Sequence, residues 1–318
     1  MTEQDTHIAG ASYDDWLRYV NRLLDAINSG RRIPLGPSAV PPVPPAPSAA
    51  ESGGAKVVFC APHPDDESLS GALALRLGLE AGARVSNIAI TLGSDPAQRE
   101  RRRRELHSAC EALGFALVIP GPPGASLPAG FNHVDLRARD RDPAGWAEEV
   151  RRLAEIFDLE RPEAVFAPHR DDFNTTHIGT HQLVIEALAA HLAHRPGAVV
   201  ALIETEFWHQ LADPNLMVAV RPELAALQML AAAEHGGEMA RNPYHLLHAC
   251  RLMDNVRRGS EVVGGQGKAA QPFPFAELYR VSFRRGGEAL PPQPGGRVLP
   301  PGERATLDWF WRQFYQQD

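Results

Sequence analysis

Between Lys56 and Glu206 short apolar runs rich in β-branched residues take turns with segments whose apolar positions recur every three or four residues. VVFCAP begins the series from Val57, and a helix is expected over Leu69–Glu80, a strand over Val85–Leu92, a helix over Gln98–Leu113 and a strand over Ala116–Ile119. The same rhythm gives a helix over Ala147–Phe157, a strand over Ala164–Ala167, a helix over His177–Leu192 and a strand over Val199–Glu206. Few architectures satisfy such alternation. It implies an α/β fold with a mainly parallel sheet and helices on both faces, whose ligands sit beyond the carboxyl ends of the strands. With 318 residues and 44% hydrophobic content the chain can bury one large core.

The flanks read differently. Trp16, Tyr19, Val20, Leu23, Leu24 and Ile27 mark an amphipathic helix within residues 1–30 that needs a surface to bury against. Residues 31–55 are proline-rich, so they form an extended tether rather than helix or central strand. The main domain is expected at 56–285, and 286–318 as a C-terminal extension whose helix spans Glu303–Tyr315. After Pro222 the pattern weakens: Glu223–His235 reads as helix, RNPYH at 241–245 breaks the period, and Phe275–Phe283 returns as a strand.

Composition excludes some partners. A net charge of -7 and a pI near 6.0 do not suit nucleic acid, which needs a basic face to release counterions. No run approaches the ~20 apolar residues that span a bilayer, so no transmembrane segment is expected. Cys60, Cys110 and Cys250 are odd in number, lack C-x-x-C spacing and sit among apolar neighbours, which reads as a reduced, cytoplasmic protein. Homo-oligomerisation is compatible with the chain.

Two polar clusters follow directly on two of the strands: APHPDDES at 61–68 and APHRDDFNTTHIGTH at 167–181. An isolated Asp-Asp before an apolar run usually caps a helix. Here His63 accompanies Asp65, Asp66 and Glu67, and the second strand delivers His177 and His181, one turn apart on a helix, to the same edge of the sheet. Imidazole nitrogen and carboxylate oxygen together suit a borderline divalent cation, and a catalytic site of that kind keeps three protein ligands plus water.

PHPDDE after a hydrophobic strand resembles the signature of the PIG-L/LmbE-type N-acetylglucosaminyl deacetylase family. The resemblance runs over roughly 56–283, with TLGS at 91–94, the R-x-x-E-L pattern beginning at Arg102, PHRDDFNTTH at 168–177 and ETEFW at 204–208 as further matches. It implies a Rossmann-like fold and a hydrolase that removes an N-acyl group, most often acetyl, from a small amino-sugar conjugate. Carried over by position, the metal ligands become His63, Asp66 and His177 and the general base becomes Asp65, with zinc the expected metal and ferrous iron the other divalent candidate. Arg102 matches the family arginine that contacts substrate, and Glu67 becomes a structural partner of the loop.

The second motif departs from the family. Many members read H-P-D-H, whereas this chain has Asn174, Thr175, Thr176 and His177. Asn174 can donate a neutral hydrogen bond to substrate but cannot protonate an amine. Asp172, near the substrate, and His245, brought over by a flexible loop, are the candidates for the missing role. Two other readings exist: a metal-retaining sugar-binding pseudoenzyme, and a non-haem iron oxygenase built on His63, Asp65 and His177. The oxygenase usually occupies an antiparallel jelly roll, which the alternation disfavours.

Overall fold

The computed structural model describes residues 11–37, 54–121, 129–131 and 134–315. Most of the expected tether, 38–53, lies outside the described residues. The chain divides into two compact units, one ending at Pro34 and the other beginning at Leu35. In the first, helix α1 (Tyr13–Gly30) is started by a reciprocal cap: the Asp15 N–H donates to the Ser12 hydroxyl and the Ser12 N–H to the Asp15 carboxylate. Trp16, Tyr19, Val20, Leu23 and Leu24 on its stripe are exposed.

The second unit runs β1 (Lys56–Ala61), α2 (Asp66–Leu69), α3 (Ala72–Ala81), β2 (Arg84–Ala89), α4 (Arg99–Leu113) and β3 (Ala116–Val118). It continues with α5 (Ala138–Arg141), α6 (Pro143–Glu160), β4 (Ala164–Pro168), α7 (Thr175–Ala193) and β5 (Val200–Thr205). Then come β6 (Leu216–Ala219), α8 (Pro222–Glu234), α9 (Gly236–Arg241), α10 (Tyr244–Val262), β7 (Ala276–Arg285), β8 (Glu288–Leu290), β9 (Arg297–Leu299) and α11 (Leu307–Phe314). The sheet order is β3-β2-β1-β4-β5-β7-β6-β9, with β8 paired to β7. From β3 to β5 all pairs are parallel, while β7 runs antiparallel to both β5 and β6.

Alternate residues of each central strand enter different cores. Phe59, Phe166 and Ile203 pack on one face with Leu73 and Leu77 of α3, Leu106 of α4 and Leu224 of α8. Val58, Val165 and Leu202 pack on the other with Trp146, Leu153 and Phe157 of α6 and Leu183 and Leu188 of α7. This two-sided burial is why the parallel strands read as continuous apolar runs. Because β2 and β3 extend one way from β1, and β4 and β5 the other, the chain reverses direction between β1 and β4. A crevice opens there, at the carboxyl ends.

Several expectations change in the structure. The helix expected over Leu69–Glu80 starts at Ala72 instead, Leu69 ending a separate short helix, and at Gly71 between the two a Cβ would stand 2.1 Å from the Glu67 carbonyl oxygen. Glycine there lets α2 end and α3 start at once, leaving Asp66 and Glu67 on a short turn of their own. The RNPYH segment is no flexible loop: Tyr244 and His245 open α10, a 19-residue helix. Residues 286–315 add β8, β9 and α11 to the same unit, with Leu299, Leu307, Phe310 and Phe314 in its main core. Arg76 of α3, buried to 1% exposure, fastens that segment by donating to the carbonyls of Leu299 at 3.4 Å and Pro300 at 3.3 Å. Cys60 and Cys110 are buried as expected, but Cys250 is exposed on α10. No described helix is long and apolar enough to cross a membrane.

Candidate metal centre

His63 and Asp66 leave the carboxyl end of β1, and His177 stands in the first turn of α7, which follows β4. Their donor atoms all lie within 4.8 Å of one another. One oxygen of Asp66, Oδ2, is the hub: it accepts the His63 backbone N–H at 2.9 Å and stands 3.3 Å from His177 Nε2 and 3.6 Å from His63 Nδ1. His177 Nε2 is buried without a hydrogen-bond partner. Such an orphaned nitrogen, aimed at a carboxylate and facing a second imidazole, is what a divalent cation would satisfy, so the donor set fits one. The charges agree. Burial opposes ionisation of Asp66, yet the two imidazoles hold its carboxyl well below the usual carboxylate range. Burial also works against a charged His177, but the carboxylates of Asp66 and Asp172 push it up to about 10.

Asp65 is not one of the three clustered donors. Its backbone has φ 122, a left-handed conformation rare for any side-chain-bearing residue and costly by roughly 1–3 kcal/mol. The turn is held by Glu67, whose Oε2 accepts the Asp65 N–H at 3.1 Å, and by the Asp65 carbonyl, which accepts from Ser68 and Leu69. Glu67 is itself fully buried and anchored by His235 Nε2 at 2.8 Å and the Ser68 hydroxyl at 2.9 Å. Burial, then the carboxylates of Asp66 and Glu67, raise the proton affinity of Asp65 well above that of an ordinary aspartate.

Asp65, Asp66 and His63 open into a cleft of about 700 Å³. Asn174 lines it, and its side-chain oxygen accepts the Thr176 N–H at 2.9 Å as the cap of α7. Arg102 also lines it and pairs with Glu238 at 3.2 Å. The guanidinium crosses Gly93 of the TLGS run, where φ is +86 and a Cβ would meet Arg102 Nη1 at 2.2 Å. The far wall is aromatic: Phe207, Trp208 and Tyr244 meet edge to face with centroids 5.1–5.7 Å apart.

Two of the expected site residues, Asp172 and His245, lie elsewhere, and His181 is held apart from the metal centre as expected of a non-ligand. Asp172 is buried behind His177, outside the cleft lining. His245 is likewise absent from that lining. α10 presents Tyr244 to the cleft, while His245 is 9% exposed and burial lowers its proton affinity. His181 binds the Pro168 carbonyl through Nδ1 at 3.0 Å, and burial pushes its pKa down to about 4. Sequence reading passed over Glu238, Tyr244, Trp208 and His235. ETEFW holds Trp208 and RNPYH holds Tyr244, but which of these residues reach the crevice depends on how α8 to α10 fold back over it.

Residues 58–188 match the family model described as PIG-L, GlcNAc-PI de-N-acetylase. The 1D-myo-inositol 2-acetamido-2-deoxy-alpha-D-glucopyranoside deacetylase of Nakamurella multipartita is 28% identical over 258 residues, covering 69% of this chain and 86% of the relative. Among solved structures, N,N'-diacetylchitobiose deacetylase from Pyrococcus horikoshii aligns with a TM-score of 0.52 at 16% identity, over 86% of this chain and 94% of that one. The 4-carboxy-2-hydroxymuconate hydratase GalB from Pseudomonas putida KT2440 aligns with a TM-score of 0.51 at 18% identity, over 73% and 97%. At such identities both likenesses concern the fold. Since one is a deacetylase and the other a hydratase, chemistry has to be argued from the site.

Proposed function

We propose that this chain, whose residues 58–188 match the PIG-L family model, is a zinc-dependent hydrolase removing the acetyl group from an N-acetylated amino-sugar conjugate. The observation that carries this reading is the convergence of His63, Asp66 and His177 at the crevice, with Asp65 beside them in the cleft. A divalent cation held by those three supplies a Lewis acid that lowers the pKa of water from 15.7 to about 7. Asp65 is the general base: its carboxylate takes a proton from the attacking water as the oxygen bonds to the amide carbon. As the C–N bond breaks, the same carboxyl returns the proton to the departing nitrogen, giving a free amine and acetate.

A sugar ring fits the remaining walls. Trp208, 44% exposed, offers an aromatic face to pyranose C–H groups, and Arg102, Glu238 and Asn242 offer donors and acceptors to hydroxyls. The oxygenase reading loses ground here. The oxygenase triad would need Asp65 as ligand, whereas the clustered carboxylate is Asp66. The test is a screen of N-acetylglucosaminides in which acetate and free amine are quantified together. Equimolar release, abolished by a chelator and restored by zinc, is expected; release that ignores the chelator, or none from any glycoside, would overturn the proposal.

With histidine missing at 174, Tyr244 is the hydrogen-bond donor we assign to the developing oxyanion. Tyr244→Phe should lower kcat by up to about 10²–10³-fold, the worth of one such donor, with metal content unchanged. His245→Ala should leave kcat near wild type. The reverse ranking in steady-state kinetics would restore His245 to the role.

A further inference from the structure

His177 has a carboxylate on each side of its ring. Nε2 faces Asp66, and Nδ1 stands 3.5 Å from Asp172 Oδ2. Resting on the metal-site reading above, we infer that Asp172 is a positioning residue for this ligand: it takes the Nδ1–H of His177, fixing the tautomer that leaves Nε2 for the cation. The side chain of Asp172 has no exposed surface and lines no part of the cleft, so it does not touch substrate there. Its Oδ1 is engaged, accepting the Asn174 N–H at 2.8 Å. Its Oδ2 is buried and has no hydrogen-bond partner.

A buried carboxylate oxygen left unpaired is costly, and the candidate donors around it are few. His169 Nε2 is 4.0 Å away and already bonded to the His209 carbonyl at 2.9 Å. The nearer nitrogen is His177 Nδ1, which needs only a few tenths of an ångström to reach ordinary hydrogen-bond length of about 3 Å. The sequence accounts for the placement. Asp172 follows β4 by four residues, and its turn with Asn174 sets the start of α7, so one carboxylate holds both the helix entry and the ring that enters with it. Carboxylates behind ligand histidines are a recurrent way to set tautomer and basicity, and losing one typically costs 10–100-fold in metal affinity.

The experiment titrates the purified protein with zinc against a chelating indicator, in wild type, Asp172→Asn and Asp172→Ala. The melting temperature of each metal-free protein and the His177 ring N–H resonance of each loaded protein are recorded alongside. Asparagine keeps an acceptor for the Asn174 N–H but loses the charge behind the imidazole, so a purely turn-holding role would leave Asp172→Asn at wild-type affinity. Expected instead is a weakening of about 10–100-fold in Asp172→Asn, with its melting temperature not lowered and the ring N–H resonance moved upfield. Wild-type affinity in Asp172→Asn overturns the inference whatever the alanine variant does, and that variant is not needed if it fails to fold. Absence of zinc binding in the wild type would instead bring down the metal-site reading, and this inference with it.

Discussion

Asp65→Asn is expected to keep its metal and its fold while turnover falls by about 10²–10⁴-fold, the usual worth of a general base. Asparagine tolerates positive φ better than most residues, so the turn at φ 122 survives the exchange. The amide cannot accept a proton from water at neutral pH. It also removes one charge from a buried group that includes Asp66, Glu67 and Glu238, all of which oppose ionisation of Asp65. The variant should therefore melt no lower than wild type. Elemental analysis, melting temperature and kcat together check this. A variant that retains both zinc and near-wild-type turnover would take the base assignment away from Asp65, and loss of zinc would make Asp65 a ligand instead.

The second large effect concerns the two histidines proposed as ligands. His63→Ala and His177→Ala should each lose the metal and with it nearly all activity, because two remaining donors do not make a site that normally keeps three protein ligands. His181→Ala is the control, one helical turn from His177. It should retain stoichiometric metal, since His181 Nδ1 is occupied by the Pro168 carbonyl and the ring is not in the triad. It should lose stability instead, by roughly 1–3 kcal/mol, for leaving that carbonyl unsatisfied in the interior. Equal metal loss in all three variants, measured after identical reconstitution, would mean that the wrong histidine of α7 has been assigned.

The hydratase among the fold neighbours shows why such residue-level tests are needed. A doubly wound sheet provides an edge where side chains can be mounted, and different chemistries have been mounted on it. The three-way meeting of His63, Asp66 and His177 narrows the choice more than the sheet does.

Much of this was legible in the residues. Strands buried on both faces have to be apolar and β-branched throughout, so β1, β2, β4 and β5 declare themselves. Chain reversal after each strand puts polar residues at one edge, so PHPDD and the start of α7 could be paired before any coordinates were known. Local geometry also follows from sequence: Asp66 and His63, three residues apart on one tight turn, reach the same point in space. What only the tertiary structure decided is what arrives from far along the chain. Tyr244, Glu238 and Trp208 reach the cleft through α9, α10 and the segment after β5, whose periods say that they are helices or loops but not where they dock. His245 looked the better donor by chemistry alone, yet a helix turns successive residues about 100° apart, and the packing of α10 gave the cleft to Tyr244. Asp172 likewise spells a substrate-facing acid, and the fold buries it beside the His177 ring instead. Sequence determines which side chains can do chemistry and the near-neighbour geometry among them; which of them share a cavity depends on long-range packing, whose energy is spread over the whole core and written in no single motif.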